Sequence, residues 1–174
     1  MWTLQKRVLP QHTDHAGVMW HGAYIAWLEE ARVEALVAAG LSYAAMTNLG
    51  FDMPVVSLQI HYRQALRHGD LVCLESVCKE PKGVRWPGVC RFVIKGEGMA
   101  DAEVQLVMLR EGRVLRRVPA ELDPVMARLR QQAAPRTVLV QMNCFRGGDA
   151  RLVVVVGVLP RPGQRKALSA AFPG

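Results

Sequence analysis

The sequence predicts an α+β fold in which one long apolar helix packs into a strongly curved antiparallel sheet. Three observations carry that expectation. Apolar residues recur at helical spacing from Gly22 or Ala23 to about Ala39. A strict two-residue alternation sets Val56, Leu58, Ile60 and Tyr62 against Ser57, Gln59, His61 and Arg63. Strand-length segments then follow over 70–79, 84–95, 100–110 and 113–118, joined by short turns. A helix and a run of hairpin-connected strands bury their apolar surfaces most simply as two layers.

The elements follow in order. Trp2, Leu4, Lys6 and Val8 alternate with other residues and predict a first strand that stops at Pro10. Residues 11–22 are polar, rich in histidine and punctuated by glycine, so they read as a loop. In the helix, Tyr24, Leu28, Ala31 and Ala35 share one face, while Ile25, Trp27 and Leu36 widen the apolar surface. Glu30 and Glu34 mark a polar stripe. Gly40 ends it in the manner of a helix-terminating glycine. A helix so apolar should be wrapped by the sheet. Pro81-Lys82-Gly83, Gly96 with Gly98, and Glu111-Gly112 supply the turns. A short terminal helix is expected from Ala120 to about Gln132. Beyond it, residues 133–174 carry Pro135, Gly147-Gly148, Pro160, Pro162 and Gly163 around a valine-rich run, and show no helical period. They read as an appendage, either an added strand pair or disordered chain.

Bulk properties bound the function. A chain of 174 residues suits one domain, and 51% hydrophobic with 21% charged residues is ordinary globular composition. The longest apolar run, Leu152 to Leu159, is strand-sized and too short to span a bilayer. Lys6 and Arg7 are followed by no apolar segment of the secretory kind. Cys73, Cys78, Cys90 and Cys144 form no CxxC pair, so buried reduced thiols and a cytoplasmic setting are expected. The formal charge is +7. Its basic residues are scattered, with small groupings at Arg63/Arg67/His68, Lys79/Lys82/Arg85 and Arg110/Arg113/Arg116/Arg117. No aromatic stacking platform interleaves them, so nucleic acid is not signalled, and an anionic small molecule bearing phosphates would be served equally well; neither a nucleic-acid nor a membrane partner is expected.

Chemistry concentrates in Gln11-His12-Thr13-Asp14-His15-Ala16-Gly17-Val18-Met19-Trp20-His21-Gly22-Ala23-Tyr24. This stretch joins a strand to the start of the apolar helix. N–H groups at a helix start are unpaired and carry positive partial charge, so they can stabilise an oxyanion. A carboxylate seven residues upstream can face them. Such a pair is equipped to attack an activated carbonyl, with Asp14 as nucleophile or as general base on water. A turn-capping Asp14 is the competing structural account. His12, Asp14, His15 and His21 have no defensible zinc spacing, so no metal and no other cofactor are expected.

The same stretch resembles the signature of the 4-hydroxybenzoyl-CoA thioesterase family of hotdog proteins, which includes the YbgC-like and dihydroxynaphthoyl-CoA thioesterases. Their pattern, roughly D-x-D-x-x-G-x-x-x-[HYF]-x-x-Y ahead of the central helix, is matched by Asp14, Gly17, His21 and Tyr24. A second block, Val56 to Asp70, is similar to the family's alternating strand followed by a loop ending in Gly-Asp, here Gly69-Asp70. The resemblance covers about residues 2–120. It departs at His12, at His15 and at Ala65, where the family carries an acidic residue, a small residue and a proline.

That resemblance implies a hotdog domain over 1–132, with 133–174 as the appendage, and hydrolysis of an acyl- or aryl-CoA thioester. It implies Asp14 as catalytic carboxylate, the His21 N–H as carbonyl polariser, and Gly17 and Tyr24 at the substrate. Family members work as dimers or tetramers with sites between subunits. Lys82 and Arg85, on a turn, are the candidates to meet the nucleotide phosphates. Two other readings compete. One is a hotdog dehydratase, whose usual histidine motif is missing here. The other is a module that binds acyl-CoA or nucleic acid without catalysis.

Overall fold

A computed structural model describes residues 1–131 of the chain. The appendage expected over 133–174 lies outside the described residues. Five strands form one antiparallel sheet in the order β1-β4-β5-β6-β3. These are β1 (Trp2–Arg7), β3 (Val55–Tyr62), β4 (Leu71–Cys78), β5 (Arg85–Ile94) and β6 (Glu97–Val107). The helix α1 (His21–Ala38) lies in the concave face, which is the hotdog arrangement. It buries Tyr24, Trp27, Leu28 and Ala31 against Val72, Leu74, Phe92 and Ala100 of the sheet. Alternation fixes most of this: even-numbered residues of β4, β5 and β6 point at the helix, while the register shift between Phe92 and Val93 marks where it breaks and odd-numbered Val93 and Met99 are buried as well.

A second core cluster closes the far end of α1. A short helix α2 (Tyr43–Asn48) and the terminal helix α3 (Asp123–Gln131) meet there with a three-stranded sheet, β2-β7-β8. Those strands are β2 (Phe51–Asp52), β7 (Leu109–Arg110) and β8 (Arg113–Val114). Met46, Phe51, Trp86, Met108, Leu122 and Met126 fill this end.

Several expectations are corrected. The strand expected over 100–110 begins at Glu97 and stops at Val107, after which the chain enters the small sheet. The strand expected over 113–118 is only β8. The first strand ends at Arg7, ahead of a 3-10 turn at Pro10–His12. The alternation from Val56 holds at Leu58 and Ile60, which pack against the core. It fails at Val56, because a bulge between Val55 and Ser57 leaves that residue out of the ladder. Val55 thereby shares the inward side with Leu58. The helix is not fully wrapped: Ile25 and Val37 are 45% and 48% exposed. Of the cysteines, Cys90 is buried, while Cys73 and Cys78 are half-buried free thiols and Cys144 lies outside the described residues. Among the described residues, no helix is long and apolar enough to cross a membrane.

Candidate active site

The loop before α1 is built around Asp14. Its N–H donates to the Val18 carbonyl at 2.9 Å, and its own carbonyl accepts from the Gly17 N–H at 3.0 Å. Gly17 takes the left-handed conformation, φ +73°, that this turn requires. One carboxylate oxygen, Oδ1, accepts the N–H groups of Ala16 at 2.9 Å and Val18 at 3.3 Å. Among the described residues no donor occupies Oδ2. The capping account of Asp14 is therefore satisfied with one oxygen, and the other remains open for chemistry.

Two small ladders clamp the loop. Thr13 pairs with Met19, and Val18 pairs with Arg67. The Met19 N–H donates to the Leu66 carbonyl at 2.7 Å. The Gly69-Asp70 block holds this support in place. The Asp70 carboxylate accepts the Arg67 N–H at 2.7 Å, and the Asp70 carbonyl accepts the Val8 N–H at 2.9 Å. Both sequence blocks thus converge on one piece of backbone.

His21 opens α1, one residue earlier than the sequence suggested. Trp20 precedes it in an extended conformation and offers no side-chain cap. Among the described residues the N–H groups of His21 and Gly22 meet no acceptor, so the helix start is unneutralised. Asp14, His21 and Tyr24 line a common open groove of about 360 Å³ with Tyr62, Arg63 and Gln64. Tyr24 is 2% exposed and stacks edge-on to Tyr62 at 5.0 Å between centroids. Burial pushes its phenol above the usual value. The imidazole of His21 is exposed and lies edge-on to Trp20.

Not every expected residue reaches the groove. Gly17 shapes the turn and is not part of the groove wall. Lys82 and Arg85 sit in the β4–β5 hairpin, where their backbones exchange hydrogen bonds of 2.8 and 3.1 Å. Tyr62 is in register with Ala100 and Ala100 with Phe92. Arg85 is seven residues from Phe92 along β5, roughly 23 Å at strand rise. Within one subunit these two cations are at the wrong end of the sheet for the groove. The cation on the groove wall is Arg63, paired with Asp101. In the sequence Arg63 stood out only as part of a basic grouping. Its position follows from strand register, which no local motif reports. His12 is also committed elsewhere: its Nδ1 accepts the Leu9 N–H at 3.1 Å.

The fold is that of the hotdog thioester hydrolases, and Asp14 and the start of α1 line one groove in it. The chain belongs to the Thioesterase-like superfamily, whose profile matches residues 8–129. A Synechocystis sp. protein named as a candidate esterase is 38% identical over 129 residues, which cover 72% of this chain and 78% of that one. A candidate acyl-CoA thioesterase of Bacillus subtilis is 27% identical over 73 residues, covering 42% of this chain and 53% of that one. Among solved structures, a hypothetical protein of Thermus thermophilus superposes with TM-score 0.69 at 26% identity, covering 74% of this chain and 99% of the other. A DHNA-CoA thioesterase from Staphylococcus aureus superposes with TM-score 0.62 at 24% identity, covering 66% and 79%. The last two likenesses speak to the fold.

Proposed function

We propose that this thioester hydrolase cleaves an acyl-CoA to free acid and CoA, with Asp14 as the catalytic carboxylate. The observation that carries the reading is the half-used carboxylate. Oδ1 is held by two backbone N–H groups, while Oδ2 is free in a groove that also contains His21. The thioester carbonyl would accept from the His21 N–H at the positive end of α1, where developing negative charge is favoured. Asp14 would either attack the carbonyl carbon, giving a mixed anhydride that water then hydrolyses to the free acid and Asp14, or take a proton from the water that attacks the carbonyl directly. On either route the C–S bond breaks after the attack and the sulfur leaves as thiolate, which needs little protonation help. Tyr24 and Tyr62 form the aromatic floor near the reacting group, and Gly17 acts through the shape of the Asp14 turn. Arg63, with Arg67 and His68 just beyond it, supplies positive charge for the CoA phosphates. Lys82 and Arg85 would serve that role only for a nucleotide bound from another subunit.

A homo-oligomer, dimer or tetramer, belongs to the same reading. β3 is an edge strand carrying exposed Val55, Val56 and Tyr62, and the groove opens beside it. A symmetry mate paired along β3 would close the groove and remove the edge. The free thiols fit a reducing, cytoplasmic setting. The test is CoA release from a panel of acyl- and aryl-CoA esters, read with a thiol reagent. No release from any ester would end the proposal. Trapping with hydroxylamine in a single turnover separates the two roles of Asp14: an acyl–Asp14 anhydride gives an Asp14 hydroxamate or an acyl hydroxamate faster than the free thioester does, and ¹⁸O from water in the Asp14 carboxylate likewise marks attack.

A further inference from the structure

Between α1 and the concave face of the sheet lies a second cavity of about 220 Å³. It arises from small side chains. Ser76 of β4 with Gly88 and Cys90 of β5 stand on the inward face, where Leu74 and Phe92 fill the space further along. They are neighbours across the ladder: Ser76 faces Cys90, and Gly88 faces Cys78. Leu28, Trp86 and Leu106 enclose the opening they leave. Gly88 is not required by backbone conformation, since its φ lies outside the left-handed region. A Cβ placed there would meet only the Val77 carbonyl oxygen, at 3.8 Å. Its smallness leaves open space.

The cavity lies further along the same two elements that line the groove. The groove touches α1 at His21 and Tyr24 and β3 at Tyr62. The cavity begins at Ile25 and Leu28 on α1 and at Leu58 on β3, and runs to Leu36. Ile25 is about one helical turn from His21, and Ile25 to Leu36 spans roughly 16 Å. That is deeper than one aromatic ring. The walls are largely apolar, and Ser76, beside Cys90 across the ladder, is a hydroxyl among them. Glu29 and Arg32 at the rim are paired with each other.

Resting on the hydrolase reading above, we infer that this cavity takes the acyl chain, and that the preferred substrate carries a straight aliphatic chain of roughly eight to twelve carbons. The pantetheine would stay in the groove and the chain would pass Ile25 into the sheet. Gly88 is then a specificity-determining position.

The experiment uses S-butyl- and S-decyl-CoA, thioethers that cannot be hydrolysed. Calorimetry measures their binding to the full chain and to Gly88→Leu, alongside hydrolysis of butyryl-, decanoyl- and 4-hydroxybenzoyl-CoA. Each buried methylene is worth up to roughly fourfold in affinity. S-decyl-CoA is therefore expected to bind at least about tenfold tighter than S-butyl-CoA. Gly88→Leu should remove that advantage and leave butyl binding within about twofold. kcat/KM for decanoyl-CoA should follow. Gly88→Ala, which keeps ordinary contacts, should give a smaller loss in the same direction and covers the case in which the leucine variant misfolds. Equal binding of the two thioethers, an equal loss for both in the variants, or a wild-type preference for 4-hydroxybenzoyl-CoA would overturn the inference. Chain-length-dependent binding without hydrolysis of decanoyl-CoA would uphold the cavity and remove the hydrolase reading.

Discussion

Replacing Asp14 by Asn removes the charge and keeps the scaffold. The Oδ1 of Asp14 holds the Ala16 and Val18 N–H groups, and the amide oxygen of Asn can accept the same two bonds. The loop is exposed, so weakening charged acceptors to neutral ones should cost about 1 kcal/mol or less. Asp14→Ala deletes the acceptor of both bonds, with a cost of about 1–3 kcal/mol and a disordered turn, which would confound chemistry with folding. Asn is therefore the informative change. Losing a nucleophile or general base should lower kcat by at least roughly a hundredfold. The assay is CoA release under saturating decanoyl-CoA, with thermal melts run in parallel. An Asn variant that retains turnover within about twofold and melts normally would refute the role of Asp14.

Further outcomes are expected. Arg63→Ala should raise KM about two- to fivefold with kcat unchanged, and the difference should shrink at high salt, as initial rates at two ionic strengths will show. Val56→Lys places a charge on the exposed edge strand and should shift sedimentation toward monomer, with activity falling in step. Burial pushes the Cys90 thiol up to about 11, so mass-spectrometric mapping at pH 8 should find Cys73 and Cys78 alkylated well before Cys90. The sign of the linkage follows. The folded state holds the proton more tightly than the unfolded one, so this contribution to stability is present below pH 9 and is lost as the pH rises from about 9 through 11, which melts across that window will measure.

What the sequence made legible was whatever repeats or caps locally. The helix could be read because Tyr24, Leu28, Ala31 and Ala35 keep a helical period. Asp14 stood out through its match, with Gly17, to a family motif, since spacing alone suited a turn cap as well. The short helix α2 was overlooked, although Ser42 caps it by accepting the Ala45 N–H at 3.1 Å. With Gly40 just before it, that serine was the available signal. The bulge at Val56 left no trace, because valine there satisfies the alternation equally well. Position across strands was the main loss. Lys82 and Arg85 looked suitable as turn cations, yet register sends them to the far end of the sheet and brings Arg63 to the groove. The cavity was likewise hidden, since it depends on Ser76, Gly88 and Cys90 lying side by side from two strands.

The domain boundary depends on α3 more than the strand pattern suggested. The sheet and central helix are complete by Val118, so α3 read from sequence as a minor addition. In the fold, Leu122, Val125, Met126 and Leu129 are each less than a tenth exposed and join Trp86, Leu106 and Met46 in the second core cluster. The Trp2 indole N–H donates to the Leu129 carbonyl at 3.2 Å, tying the first strand to the last helix. Burying four such side chains contributes about 6–12 kcal/mol. That is as large as the net stability of a typical domain. A chain cut after Val118 should therefore fail to fold, exposing Trp86 and the far end of α1. A chain cut after Gln132 keeps α3 whole and contains the whole span, 8–129, that the superfamily profile matches. It should melt cooperatively and hydrolyse acyl-CoA within about twofold of the full chain, since Asp14, His21 and both cavities lie before the cut. Comparing melts and turnover of the two truncations decides the matter. A folded, active chain ending at Val118 would show that α3 is dispensable. A folded but inactive chain ending at Gln132 would show that the segment beyond it contributes to the site.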